Sequence, residues 1–442
     1  MNQILTYRVA TLKPSTMDTL TMNNTVSKEL NVVIWWEVLL MFFILSISGN
    51  PYIGSKKFEL FTMFSAIIPF VHIVRNYKKS VSYRTIFIFV FLLGYEIMHA
   101  FMFKLDYTIT FFKLTLILLL SAVTVDILKN KFIVVLTKTM VLISLVSFAF
   151  VLLSYTPLHE TFYILASKMF PVNEYNGVST PTILIFTFCR EYFDGELPYV
   201  RNAGIFWESG AFAVFLNITL FLNYSSKSIK SVRDLFDRDS IILILALIST
   251  TSTMGVLSLL MVFGFFSAQL KSIFKYVLLV LLFIVGYLAF TNVDFIGEKI
   301  NKQLKESKSS NNRFGSALKD WENISERPLL GWSRRIEVVF NTSVYSNKTH
   351  RPNGFTNFLR SYGFVYFTVY FLLVFHSFKN IYLFHHYSYN IYVPLFGVIL
   401  LCIVSFSELI FDLAFLKSLI FIYSAYYSTR ESIGQHSIKK YS

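Results

Sequence analysis

Apolar runs close to twenty residues long recur along almost the whole chain, and few folds can accommodate them. A helix that crosses a bilayer needs about 20 predominantly apolar residues. Runs of this kind occupy about 32–48, 58–74, 85–103, 111–128, 132–155, 204–223, 276–292, 356–376 and 391–409. The stretch 240–270 is too long for one straight helix and is interrupted by Ser249-Thr250-Thr251-Ser252-Thr253, which predicts two short helices turning at that polar cluster. The apolar stretch 391–427 divides near Glu408, leaving a last helix at about 411–427. The expected fold is therefore all-α, a polytopic bundle of about twelve transmembrane helices.

Composition supports a chain that lives in lipid. Of 442 residues, 55% are apolar and only 15% charged, against roughly 45–50% and 25% in soluble domains. Aromatic residues reach 18%, as suits helices whose flanks meet headgroups. The net charge of +14 raises a nucleic-acid reading, but the basic residues mostly punctuate apolar runs. No zinc, RNA-recognition or basic-zipper pattern accompanies them, so no nucleic-acid partner is expected. Cys189 and Cys402 fall in a loop and in an apolar run, which does not predict a disulfide framework. Residues 1–31 are polar, and no short apolar region with a small-residue cleavage site follows them. The first apolar run is expected to be an uncleaved membrane helix.

Short loops rich in Lys and Arg face the cytoplasm. Arg75, Lys78, Lys79 and Arg84 occupy one such loop, Lys129 and Lys131 a second, and Lys227, Lys230, Arg233 and Arg238 a third. Lys271 and Lys275, and the tail with Arg430, Lys439 and Lys440, complete the set. Twelve crossings put all of these on one side with both termini. The expected organisation is a cytoplasmic segment 1–31, helices one to five in 32–155, a large outer loop 156–203, helices six to nine in 204–292, a second large outer loop 293–355, helices ten to twelve in 356–427, and a cytoplasmic tail 428–442. Loops beyond about 15 residues are usually functional, so the two outer loops are where chemistry is expected.

Three stretches carry candidate groups. Arg201-Asn202-Ala203-Gly204-Ile205-Phe206-Trp207-Glu208-Ser209-Gly210 joins the first outer loop to the sixth helix. Arg201 offers a permanent cation with a fork of donors suited to phosphate, and Glu208 an ionisable group at the membrane mouth, a candidate for proton transfer. The bland alternative is a snorkelling Arg and an interfacial Glu. The second outer loop contains Asn312-Arg313-Phe314-Gly315, then Trp321, then Arg327-Pro328-Leu329-Leu330-Gly331-Trp332-Ser333-Arg334-Arg335. It ends in His350-Arg351-Pro352-Asn353-Gly354, followed by Asn357, Arg360 and Gly363. Five Arg between 313 and 351 suit a pyrophosphate or lipid phosphate, and Trp321 and Trp332 are candidates to stack on sugar faces. A solvated basic loop drawn to anionic headgroups is the alternative.

There is no Walker A loop, no H-E-x-x-H and no G-x-S-x-G, which leaves P-loop, zincin and serine-hydrolase chemistry without a carrier. Asp237-Arg238-Asp239 matches a metal-holding D-x-D, but its loop of about 16 residues has no room for a nucleotide domain, and helix-end charges explain it better. No metal or cofactor is expected. Glu37, Glu59, Glu96, His99, Lys113, Asp126, Lys138, Glu408, Asp412 and Lys417 lie within apolar runs and keep a transporter reading open. Glu96 and His99 share a helical face and could pair.

Taken together, these stretches resemble the Wzy-type O-antigen polymerases, within the wider superfamily that includes the O-antigen ligases. Arg201 to Glu208 looks like the family's R-x-x-G-[IL]-F-x-E stretch, and Ser249 to Gly255 is similar to its Ser/Thr-rich helix break. Arg313 through Gly331 to Asn353 and Gly363 looks like its R-x-x-x-W, P-x-x-G and H-N-x-x-L-x-x-x-x-x-x-G series. Pro352 stands where the family has His before the Asn, with His350 two residues upstream. That departure argues against a ligase. The resemblance implies a metal-independent glycosyltransferase of the bacterial inner membrane acting on undecaprenyl-pyrophosphate-linked oligosaccharide, on the periplasmic side. Membrane lipids and a chain-length regulator protein are the further partners it allows. Glu208, Arg201 and Arg313 are then the expected catalytic groups. Arg351, Asn353, Arg334, Arg335, Arg360, Trp321, Trp332 and His350 are the expected substrate contacts. An O-antigen ligase and a transporter or flippase of the same lipid-linked unit are the alternatives.

Overall fold

The computed structural model describes residues 33–53, 67–76, 82–105, 108–169, 180–191, 199–271, 273, 275–281, 284, 313–334, 352–386 and 390–425. Along the chain the helices are α1 (Trp35–Gly49), α2 (Ile67–Arg75), α3 (Tyr83–Phe103), α4 (Thr108–Leu128), α5 (Phe132–Leu153) and α6 (Leu158–Met169). After a small sheet come α7 (Ser209–Ser226), the single turn α8 (Val232–Leu235), α9 (Arg238–Ser249), α10 (Thr253–Ala268) and α11 (Arg313–Glu326). The last three are α12 (Gly354–His385), α13 (Tyr392–Ser405) and α14 (Ala414–Ala425).

Among the described residues, three helical stretches are long and apolar enough to cross a membrane: Tyr83–Phe103, Phe111–Leu153 and Gly354–His385. Shorter apolar helices are Trp35–Gly49, Thr253–Ala268, Tyr392–Ser405 and Ala414–Ala425. The 43-residue stretch Phe111–Leu153 would be about 65 Å long if straight, twice a bilayer core. It breaks at Lys129, whose φ of 44° is left-handed, and so divides into α4 and α5. Bulky side chains such as Leu39, Val90 and Phe101 lie on outward faces of these helices. Such exposure suits a lipid surround, and the chain is a helical membrane protein.

At the centre lies α7. Every residue from Ala211 to Ser225 in it is buried, as befits a helix apolar on all sides. It packs against α5, α9, α10, α12 and α13. Its few polar groups are tied across helices: the Asn217 amide donates to the Gly255 carbonyl at 3.0 Å and the Asn223 amide to Ser240 Oγ at 3.1 Å. The helix break in 240–270 lies inside the Ser/Thr cluster, since α9 ends at Ser249 and α10 starts at Thr253.

The expectation of an all-α chain needs one correction. In the first outer loop, β1 (Thr182–Ile183), β2 (Phe186–Glu191) and β3 (Tyr199–Asn202) form an antiparallel sheet in the order β1-β2-β3. Phe186 and Phe188, two apart and so on one face of β2, are buried with Ala166 of α6 against Phe150 of α5. A short strand with one buried face gives only a weak signal beside long apolar helices. Register pairs Cys189 with Arg201 and Phe188 with Asn202, so the sheet delivers the chain to the start of α7.

Contacts sort the helix ends into two groups. At one end Lys131 pairs with Glu37 at 3.2 Å, Lys138 with Asp239 at 2.7 Å, and Thr85 Oγ1 donates to Ser424 Oγ at 3.0 Å. At the other, the Asn50 amide donates to the Leu184 carbonyl at 3.2 Å and Arg313 approaches Glu408. The second end holds the candidate groups.

Candidate functional site

Glu208 is the N-cap residue of α7, with an extended backbone at φ −155° and no side-chain cap bond to the helix. The turn before it is pinned by Asn202. The Asn202 amide donates to Ser147 Oγ at 3.0 Å and Ser249 Oγ at 2.9 Å, while its carbonyl oxygen accepts from the Gly204 N–H. Gly204 has φ 53°, a left-handed value that glycine adopts without strain. With its own side chain unspent on capping, Glu208 projects beside Gly210.

There it meets Glu408. A methyl group on Gly210 would lie 2.6 Å from Glu408 Oε1 and 3.5 Å from Glu208 Oε1, so the two carboxylates face one another over a bare backbone. Glu408 is buried and sits in the non-helical break between α13 and α14. Arg313, at the start of α11, donates through Nε to the Ser407 carbonyl at 3.2 Å and brings a terminal nitrogen within 3.6 Å of Glu408 Oε1. Asn353 closes the group from a fourth direction. Its Oδ1 caps α12 by accepting from the Thr356 N–H at 3.0 Å, and its amide donates to the Arg313 carbonyl at 3.5 Å. Gly354 presses directly on the Ser405 and Glu408 carbonyls, with no room for a Cβ. Four separate segments therefore converge on two acids and one cation.

Arg201 is placed differently. Its Nε donates to the Thr250 carbonyl at 3.1 Å and Thr251 Oγ1 at 2.9 Å, and Nη2 to the Thr251 carbonyl at 3.0 Å. These are carbonyls left over at the C-terminal end of α9, where Thr251 is left-handed at φ 47°. These bonds cap the Ser/Thr break.

The segment that follows α11 docks onto a break in α12. Gly363 has φ 69° and ψ 175°, a region open essentially to glycine. Gly331, at φ 72°, packs against it so closely that neither tolerates a side chain. The Phe364 N–H then donates to the Pro328 carbonyl at 2.7 Å, and the Trp332 N–H to the Arg360 carbonyl at 2.9 Å. The P-x-x-G segment and the distant glycine thus form one joint. Beside it Tyr95 Oη donates to the Tyr362 carbonyl at 2.7 Å, and His99 Nε2 lies 2.7 Å from the Leu330 carbonyl.

Two expected substrate contacts are buried. Arg360 is 1% exposed and held by Asp320 at 3.5 Å and the Asn357 side-chain oxygen at 2.6 Å. Trp332 is 6% exposed, its indole N–H donates to the Asn323 carbonyl at 2.8 Å, and Arg327 covers its ring at 4.5 Å. Both are packing residues of the joint. Trp321, on α11, stays 55% exposed. Arg334 lies 3.7 Å from Glu96, away from the acid pair. Arg335, His350 and Arg351 lie outside the described residues. Glu96 and His99 share a helical face yet take different partners, Tyr362 and Leu330.

Glu408 is the site residue missed when only apolar runs and outer loops are read for function. Its signal was an acid inside an apolar run, which marks functional positions in membrane proteins. Among the described residues no three His, Cys, Asp or Glu side chains cluster as metal ligands. Asp237 of the D-x-D is occupied elsewhere. Burial would push its carboxyl up, but the Lys227 ammonium at 2.8 Å and the Ser240 hydroxyl outweigh it and hold the group below its ordinary value. In the outer helix–sheet unit, burial lowers the His159 imidazole and the neighbouring Arg190 cation lowers it further.

Comparison with protein-family models, with curated proteins and with solved structures finds no match.

Proposed function

We propose that the chain is a membrane-embedded, metal-independent glycosyltransferase that polymerises lipid-linked oligosaccharide repeat units. In this reading about twelve helices cross a bacterial inner membrane, both termini are cytoplasmic, and the site opens to the periplasm. The observation that carries it is the meeting of Glu208, Glu408 and Arg313 over Gly210, since the resemblance to Wzy-type polymerases singles out the stretches that hold Glu208 and Arg313.

The reaction asks for what these groups offer. A sugar hydroxyl of the incoming unit attacks the anomeric carbon of the growing chain, a new C–O bond forms, and the bond to pyrophosphate breaks with its electron pair. Undecaprenyl pyrophosphate leaves, and the proton of the attacking hydroxyl passes to a carboxylate. Two acids side by side carry a proton between them more readily than two charges, so Glu208 would serve as base with Glu408 as the partner that keeps its proton. Arg313 would neutralise the charge growing on pyrophosphate, a term of about 10²–10³ in rate for one well-placed donor.

In cells deleted for the native gene, Arg313→Ala is expected to leave protein abundance unchanged and to reduce surface polysaccharide to single repeat units. A normal ladder of chain lengths would overturn the reading. A transporter of the same lipid-linked unit draws support from the chain of Glu96, Tyr362, Asp412 and Lys417. It would instead leave repeat units on the cytoplasmic leaflet, as labelled-lipid accessibility would reveal.

A further inference from the structure

A groove of about 810 Å³ lies at the opposite end of the bundle from the acid pair, between α2, the end of α4 and the start of α1. Its walls are apolar, formed by Ile68, Val71 and Ile127, with Trp36 at the mouth and Arg75 and Lys129 at the rim. The outer faces of α2 are apolar too: Ile67, Phe70, Ile73 and Val74 are exposed, so the groove opens toward hydrocarbon. Trp35 and Trp36 at the start of α1 are both exposed, the placement of an aromatic belt at headgroup depth.

The charges in this groove are unbalanced. Asp126 is the single carboxylate among its described lining residues, and it is taken up by His72 Nε2 at 2.7 Å. The Asn76 amide in turn holds the His72 backbone carbonyl at 3.0 Å and ring at 3.3 Å. Neither Arg75 nor Lys129 has a carboxylate partner among the described residues, although Lys131 nearby has Glu37. Lys129 also stands at the left-handed break between α4 and α5, which turns the chain sharply beside the groove. Two cations without a carboxylate among the described residues, set over an apolar trough, suit a molecule with an anionic head and a hydrocarbon tail.

We propose that this groove binds an anionic glycerophospholipid of the adjoining leaflet, its phosphate between Arg75 and Lys129 and an acyl chain along Ile68, Val71 and Ile127. A soluble phosphate would leave the apolar walls wet, and a neutral zwitterionic lipid would bring its own cation to the rim. The proposal is independent of the chemistry at the opposite end.

The test uses the full-length protein, purified and delipidated in neutral detergent, with dipalmitoylphosphatidylglycerol, the matching phosphatidylcholine and undecaprenyl phosphate as separate probes. Binding is read by native mass spectrometry and by quenching of Trp36 with a brominated acyl chain. The wild type is expected to retain phosphatidylglycerol in preference to phosphatidylcholine. One cation near a headgroup is worth about fivefold in affinity, so Arg75→Gln with Lys129→Gln should weaken retention roughly twenty-five-fold. Arg75→Lys with Lys129→Arg, which keeps both charges, should restore it, and Trp36→Phe should abolish the quenching change. Equal retention of the two phospholipids, or undiminished preference in the double Gln variant, would overturn the proposal. So would retention of undecaprenyl phosphate alone. If the double variant fails to fold, the single variants at fivefold each decide the matter.

Discussion

Two groups of acids and bases lie at the same end of this bundle, and they are wired in opposite ways. In one, Glu96 accepts from Tyr362 Oη at 2.8 Å and lies 3.7 Å from Arg334, while Asp412 lies 3.2 Å from the same Tyr362 and 3.3 Å from Lys417. Acids and donors alternate, so each charge has a counterpart. In the other, Glu208 and Glu408 face each other and Arg313 stands 3.6 Å from Glu408. Among the described residues an acid is in excess here. Alternation holds helices together at little electrostatic cost, whereas two acids beside one another are unfavourable unless one carries a proton. Such mismatch persists where chemistry needs a proton held ready. The matched network ties α3, α12 and α14 to the second outer loop. The mismatched one is the better candidate for the reaction.

Substitution can pull this contrast apart. The largest expected effect is on turnover: Glu408→Gln should slow transfer of lipid-linked units in proteoliposomes by about 100-fold or more, whereas Glu96→Gln should slow it by less than about tenfold. Equal losses would erase the distinction. Next comes stability. Lys417 is 1% exposed but Asp412 42%, so Lys417→Met should lower stability by about 2 kcal/mol, less than the 3–5 expected where both partners are buried. Thermal melting in detergent reads this, and Arg313→Ala should shift it far less. The smallest effect is the sharpest geometrically. In Gly210→Ala the new methyl must displace Glu408, so turnover is expected to fall about tenfold with melting little changed. Gly94→Ala, with nothing within 4 Å of the added carbon, should do neither harm.

Much of the architecture was legible in residue order. The Ser/Thr cluster at 249–253 was legible as a helix break, and Gly331, Asn353 and Gly363 stood in the motif series that carries the resemblance. Each is a local backbone requirement, and local requirements are written in neighbouring residues. The contacts of Arg201, Arg360 and Trp332 were not legible in this way. A guanidinium suits a phosphate and an orphan carbonyl equally well, and an indole suits a sugar and a core. Which one it meets depends on segments 9 to 49 residues away, as with Thr250, Asp320 and Asn323. The sheet in the first outer loop was hidden for a related reason, because two buried phenylalanines on a six-residue strand give little periodicity to read.

Sequence alone determined that this chain is a helical membrane protein and where its candidate chemistry concentrates, because bilayer thickness and the cost of burying charge act on every local stretch in the same way. Only the tertiary structure decided that Glu408 joins Glu208, that Arg313 stands beside Glu408, and that the P-x-x-G segment closes on Gly363. Those outcomes depend on which helix ends meet, and a meeting is a property of packed surfaces, set when α7, α12 and the break after α13 are brought together around the same few ångströms.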